Sequence, residues 1–316
     1  MVIRAAWLSL FLLLMGLAPA AFPQSHGVGL SRAGADTCLG CHNGDDMLVI
    51  FRTAHGQQAD PESPMASLQC EACHGAGADH ADRRLAGPVH PTIVGFGRTS
   101  ETPVSAQNEA CTSCHDRDVG LNWHGSLHER NDTACVACHS VHVERDPVSL
   151  QTSQAEVCFD CHRSQRADSM KPSTHPIRFD AMVCTDCHDP HGSVADALLV
   201  RNTTNELCVS CHAEYRGPML FDHAPVSEDC TLCHEPHGSV HPALLNRTAP
   251  LLCQSCHSQR GHPSLSFTDQ SLPGGNPSAM VLGRSCANCH TQVHGSNHPS
   301  GFDLMRNHDP VSYTHL

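Results

Sequence analysis

The stretches Cys184-Thr-Asp-Cys187-His188-Asp-Pro-His191-Gly-Ser193 and Cys230-Thr-Leu-Cys233-His234-Glu-Pro-His237-Gly-Ser239 are nearly the same text written twice. Each holds two cysteines three positions apart, a histidine directly after the second, and another histidine three positions further on. On one turn of helix, residues i and i+3 share a face and residue i+4 lies beside them. Two thiols so placed reach two points on one flat group, and the next imidazole reaches its centre. This is the requirement of c-type haem attachment, in which the thiols add to two vinyl groups and the histidine ligates the iron.

Working outward, the same CxxCH unit accounts for every cysteine in the chain. The pairs are Cys38/Cys41, Cys70/Cys73, Cys111/Cys114, Cys135/Cys138, Cys158/Cys161, Cys184/Cys187, Cys208/Cys211, Cys230/Cys233, Cys253/Cys256 and Cys286/Cys289. They are followed by His42, His74, His115, His139, His162, His188, His212, His234, His257 and His290, the expected proximal iron ligands. With 27 histidines in 316 residues, ten hits in ten by chance have a probability on the order of 10⁻¹¹. Zinc ribbons and disulfide-stapled secreted chains also pair cysteines, but neither needs a histidine at that position. The composition agrees: at 4% aromatic, the chain has too little bulky apolar side chain for cores of this size, and ten covalent haems supply the missing volume. A net charge of −13 with no basic stripe excludes nucleic acid as a partner.

Seventeen histidines remain after the ten attachment ligands, and they follow a pattern. The order His, CxxCH, His, CxxCH recurs every 45 to 50 residues: His128, Cys135, His142, Cys158; His175, Cys184, His191, Cys208; His223, Cys230, His237, Cys253. Periods of this size mark units that stack on their neighbours. Extending the template adds His55 and His80 before these copies and His262 and His294 after them. Ten haems thus meet ten candidate distal ligands: His55, His80, His128, His142, His175, His191, His223, His237, His262 and His294. Methionine cannot fill the role generally, because only nine exist and Met1 and Met15 lie in the leader described below. His298 rivals His294, and His124 rivals His128, which the repeat register favours. His26, His90, His124, His241, His298, His308 and His315 read as exposed or supporting residues. Which distal histidine serves which haem is not readable, since a ligand can come from a neighbouring unit.

Residues 1–21 read as a signal peptide, with Arg4, an apolar run over 5–17 and the small-x-small site Ala18-Pro19-Ala20. No cysteine lies near the cut, so no direct lipid anchor is expected, and no later stretch is apolar and long enough for a membrane helix. Haem iron with two imidazole ligands has no open position for substrate and a lower potential than with a methionine ligand. The expected protein is therefore an electron carrier and not an enzyme. Its backbone should be mainly short α-helices and irregular loops wrapped round a chain of ten haems. The haem-free stretches 81–110 and 263–285 read as surface loops that meet a partner or merely space the motifs.

The ten-motif register resembles the MtrA/DmsE family of decahaem periplasmic cytochromes. So do Ser67-Leu-Gln-Cys-Glu-Ala-Cys-His74, His212-Ala-Glu-Tyr-Arg-Gly-Pro218, His223-Ala-Pro-Val226 and the ending Cys286-Ala-Asn-Cys-His-Thr-Gln-Val-His-Gly-Ser-Asn-His-Pro-Ser-Gly301. The resemblance covers essentially the whole mature chain. It implies two pentahaem-like halves, 22–163 carrying the first five motifs and 164–316 carrying the last five. It further implies a periplasmic protein associated with the outer membrane, housed in a porin-like β-barrel. There it would pass electrons between an inner-membrane or periplasmic donor and an outer multihaem cytochrome or reductase, in extracellular electron transfer to metal oxides or a DMSO-type reductase. A barrel suits an acidic haem chain, which cannot face lipid itself but can sit in a polar lumen. The alternatives are a soluble periplasmic shuttle to a separate reductase and a multihaem oxidoreductase with one open haem. The second would usually show an altered attachment motif, and all ten here are ordinary.

Overall fold

The computed structural model describes residues 29–82, 84, 92–117, 119, 121–257, 286–288, 290–299 and 301. The expected signal peptide, residues 263–285, His26, His90, His262, His308, His315 and Cys289 lie outside them. Among the described residues the chain forms short helices, turns and isolated β-bridges, with no named strand. Among these residues the longest helix is Val104–His115, and none is long and apolar enough to cross a membrane.

The CxxCH motifs alternate between two local settings. In the odd-numbered motifs the first cysteine sits within an α-helix: Ala35–Leu39, Val104–His115, Gln154–Phe159, Thr204–Cys211 and Ala249–Gln254. The second motif contains the single α-turn Glu71–His74, and the later even-numbered ones are 3-10 turns: Cys135–Ala137, Cys184–Asp186, Cys230–Leu232 and Cys286–Asn288. Local capping explains the boundaries: Thr203 Oγ1 accepts the Glu206 N–H at 3.1 Å to start an odd helix, and Asp229 Oδ1 accepts the Thr231 N–H at 2.7 Å to start an even turn.

Three of the odd helices, Val104–His115, Gln154–Phe159 and Thr204–Cys211, dock the following even turn through a side-chain amide. Asn108 Oδ1 accepts the Cys135 N–H and Asn205 Oδ1 accepts the Cys230 N–H, both at 2.8 Å. Gln154 Oε1 accepts from Thr185 N and Oγ1 at 3.1 and 3.0 Å. The amides satisfy backbone donors at the starts of turns too short to satisfy their own.

A second recurring contact joins one repeat to the next. Gly192, Gly238 and Gly295 follow His191, His237 and His294 and have φ of +133°, +145° and +111°. A Cβ built on them would lie 2.1 Å from Asn122 O, 2.0 Å from Asp168 O and 2.8 Å from Met219 Cγ respectively. The His-Gly-Ser text is thus a clasp in which bare glycine backbone presses against the preceding unit. Paired backbone hydrogen bonds close the last two copies, Ser173 with Ser239 (3.1 and 2.8 Å) and Phe221 with Ser296 (2.8 and 3.0 Å).

Side chains contribute little core. Among the described residues the buried apolar ones are Ala35, Met65, Trp123, Ala134 and Phe159. The centre is instead a single continuous cavity of about 5690 Å³ lined by residues from Thr37 to His294.

Candidate functional site

All ten motif histidines line this cavity, together with nine of the ten candidate distal histidines. In the motifs the local geometry is uniform. The histidine N–H donates to the carbonyl of the first cysteine, for example His42 to Cys38 at 2.9 Å, His188 to Cys184 at 3.0 Å and His257 to Cys253 at 2.8 Å. This closes the helical turn that puts two sulfurs and one imidazole on the same side.

Nine motif histidines each face one second histidine across the cavity. The ring centroids are 6.3 Å apart for His42 and His80, 6.4 Å for His74 and His142, and 5.9 Å for His115 and His55. They are 5.8 Å apart for His139 and His191, 6.2 Å for His162 and His128, and 6.0 Å for His188 and His237. The last three pairs are His212 and His175 at 6.4 Å, His234 and His294 at 6.1 Å, and His257 and His223 at 6.0 Å. A metal–nitrogen bond of about 2.0 Å plus roughly 1.1 Å from nitrogen to ring centre, taken on both sides, requires centroids about 6.2 Å apart. The rings therefore stand at the separation for one metal ion between them. Divided among ten motifs, the cavity offers about 570 Å³ each, within the roughly 300–1,000 Å³ of a cofactor pocket.

The pairing has a rule that spacing alone did not reveal. His55, His128, His175 and His223 each reach forward, past the next CxxCH, to the following odd motif. His142, His191, His237 and His294 each reach back, facing the motif two before their own. The His139–His191 pair spans residues 163 and 164, where the two halves were expected to divide. Of the rival assignments, His128 faces His162 while His124 is largely exposed and hydrogen-bonded to Glu129 Oε1 at 3.0 Å; His294, not His298, faces His234. His290 lines the cavity, and the tenth candidate distal histidine, His262, lies outside the described residues.

Hydrogen bonds fix the ring tautomers. Nδ1–H donates to a backbone carbonyl from His74 (Val94), His128 (Pro190), His175 (Pro236), His188 (Ala197), His223 (Val293) and His234 (Ala243), all at 2.7–2.8 Å. A carbonyl only accepts, so in these rings Nε2 carries the free lone pair that a metal needs. Burial first, and the facing imidazole after it, push His55, His191, His237 and His294 below the ordinary histidine range, favouring the neutral form that ligates. Burial does the same to His74, against the opposing pull of its Val94 hydrogen bond.

The sulfurs form an unbroken sequence of neighbours. The first cysteines lie near enough to act on one another electrostatically as Cys38/Cys70, Cys111/Cys135, Cys158/Cys184, Cys208/Cys230 and Cys253/Cys286. Burial first, and a neighbouring second cysteine after it, push up Cys73 (beside Cys114), Cys138 (beside Cys161), Cys187 (beside Cys211, with Asp186 acting more strongly) and Cys233 (beside Cys256). Every motif thus adjoins the next in chain order, through first and second cysteines alternately.

Sequence reasoning missed the docking amides Asn108, Gln154 and Asn205 and the carboxylate of Asp146, which accepts from His139 Nδ1 at 2.6 Å. The shared text Asn108-Glu-Ala-Cys111 and Asn205-Glu-Leu-Cys208 was a usable signal for two of them. Asp146 had none.

Comparison with known proteins agrees with this chemistry. The family described as a doubled CXXCH motif matches residues 175–217 and 223–262, and the cytochrome c-type NrfB-like family matches residues 70–152. The chain is 49% identical over 279 residues to the multiheme cytochrome MtrA of Shewanella baltica (strain OS185), covering 87% of this chain and 82% of that one. With its CxxCH turns built to carry covalent c-type haem, the chain belongs to the MtrA family of multihaem, electron-transferring cytochromes.

Proposed function

We propose that this chain is a trans-outer-membrane electron conduit carrying ten covalent haems in single file, in sequence order, each iron held between two histidines. The observation that carries the reading is the combination of nine facing imidazole pairs with the unbroken line of neighbouring cysteines from Cys38 to Cys286. Bound haem supplies reversible one-electron chemistry, and the chain's residues do the rest. The twenty cysteines would tether the haems, and His42, His74, His115, His139, His162, His188, His212, His234, His257 and His290 would hold the irons together with the second histidines. Two imidazoles leave no coordination position for substrate, so electrons pass and nothing is transformed.

Reach-back ligation locks the line. His191 belongs to the sixth motif's segment and closes the fourth site, while His188 three residues earlier serves the sixth. One rigid turn therefore spaces two sites, and the protein's work is spacing, insulation and tuning. Ten sites exceed what a diffusing shuttle needs. The family relationship supports periplasmic export and a porin-like partner with a further cytochrome or reductase outside.

The test is purification of the tagged holoprotein from detergent-solubilised outer membranes. A β-barrel protein co-purifying stoichiometrically, and electron passage from an external donor to a dye trapped in vesicles carrying the pair, are the expected results. A protein recovered alone and soluble, reducing a periplasmic enzyme directly, overturns the conduit in favour of the shuttle.

A further inference from the structure

The fourth, sixth and eighth sites are close to a controlled comparison. Their facing rings are nearly coplanar in orientation, with interplanar angles of 17°, 23° and 14°, and all three are closed by a reach-back histidine. They differ in what receives the motif histidine's Nδ1–H. At His188 and His234 it is a backbone carbonyl, of Ala197 and Ala243, each nine residues on and held in left-handed backbone with φ of +53° and +54°. At His139 it is the carboxylate of Asp146, at 2.6 Å.

Asp146 is built to hold this position. Its Oδ1 accepts the backbone N–H of Ser140 at 3.1 Å and of Val148 at 3.4 Å, capping the 3-10 turn Pro147–Ser149, while Oδ2 is left for the imidazole. At His212 the carboxylate of Glu214 lies 3.6 Å from Nδ1 with both side chains largely exposed, beyond hydrogen-bond range, and Asp189 near His191 and Asp168 and Glu235 near His237 act through space without a hydrogen bond to the ring. A hydrogen bond to an ionised acceptor is shorter and about twice as strong as one to a neutral carbonyl. It draws the Nδ1 proton away, makes the imidazole a more basic donor and adds negative charge beside the metal. Both effects favour the ferric over the ferrous state. Arg98, whose guanidinium reaches Cys161 Sγ at 3.2 Å, places an opposite charge nearby and partly offsets the second effect but not the first.

We propose that Asp146 is a potential-setting residue which, acting through His139, makes the fourth haem more negative than the sixth and eighth. The inference rests on the histidine ligation proposed above. The step it governs is a one-electron exchange: the iron yields one electron to its neighbour in the line, and no bond is broken and no proton lost. The line of sites would then dip at the fourth relative to the sixth and eighth.

The experiment is spectroelectrochemical titration of the full haem-loaded protein as wild type, Asp146→Asn and Asp146→Glu. In Asp146→Asn about one-tenth of the haem absorbance, one haem of ten CxxCH motifs, should move to more positive potential; in Asp146→Glu that component should stay negative. An unchanged titration in Asp146→Asn, or an equal shift in both variants, overturns the role of the charge. If Asp146→Asn fails to load haem, the Glu and Gln variants, which differ only in charge, make the same comparison. Near-infrared magnetic circular dichroism on the wild type separates the two layers of argument. High-spin haem there refutes the ligation, whereas ten low-spin haems with no potential shift refute Asp146 alone.

Discussion

Gly238→Ala perturbs the clasp at its tightest point. The new Cβ would sit 2.0 Å from Asp168 O, against about 3.4 Å for ordinary contact, so backbone must move by about 1.4 Å. The residue also keeps φ near +145°, a region that L side chains rarely adopt, at about 1–3 kcal/mol. Overpacking adds about 1–3 kcal/mol, so the clasp should weaken by about 2–6 kcal/mol in all. What loosens is the paired Ser173/Ser239 backbone contact and, with it, the His175 Nδ1–H bond to Pro236 O at 2.8 Å. His175 faces His212 and His237 faces His188, so the sixth and seventh sites should be affected together. Hydrogen exchange read by mass spectrometry should show protection over 166–175 and 236–246 falling at least about 30-fold, each 1.4 kcal/mol being tenfold. Gly97→Ala is the control, because Gly97 has φ of +103° but nothing within 4 Å of its Cβ, and so carries the strain without the clash. Equal local destabilisation in the two variants, or wild-type protection in Gly238→Ala, would refute the clasp.

Other outcomes follow from the same geometry. Five facing pairs have interplanar angles of 14–23° and four of 51–75°, so low-temperature EPR should resolve a rhombic low-spin class and a more anisotropic one; a single class would contradict the ring orientations. His191→Met should raise the potential of one haem and leave the pyridine haemochrome count unchanged, since thioether ligation favours the ferrous state; an unaltered redox titration would remove His191 from the ligands. Buried Glu71 is held below the ordinary glutamate value of 4.5: burial opposes this, but hydrogen bonds from Gly77 N, Ser31 N and Ser31 Oγ outweigh it. A depressed carboxylate gives stability that is present above its unfolded pKa and lost as pH falls through the folded value. Proteolysis near Ser31 should therefore rise as the pH falls below the ordinary glutamate value of 4.5, and Glu71→Gln should be more susceptible at neutral pH and lose that dependence; identical pH profiles would count against it.

The local half of the site was legible and the tertiary half was not. Cys184, Cys187 and His188 declare themselves because attachment needs only one turn of helix, and spacings of three and four residues are written directly in the text. The second histidines that face the motif ones were also readable as candidates, since His142, His191 and His237 recur in register. Their partners were hidden, because His191 answers His139 from 52 positions away and His128 reaches forward to His162. That choice depends on how units stack, which the Gly192, Gly238 and Gly295 clasps decide through backbone contacts that a sequence does not display. The shortage of aromatics correctly implied that side chains do not make the core, and few apolar residues are buried among the described ones. Asp146 stayed invisible because an aspartate seven residues after a motif histidine has no fixed meaning until the chain turns back through Pro147.

The most direct measurement is intact mass of the mature protein together with near-infrared magnetic circular dichroism of the same sample. The account predicts ten covalent haem additions and charge-transfer bands from bis-histidine low-spin iron throughout. Fewer than ten additions, or a substantial high-spin or methionine-ligated fraction, would contradict it.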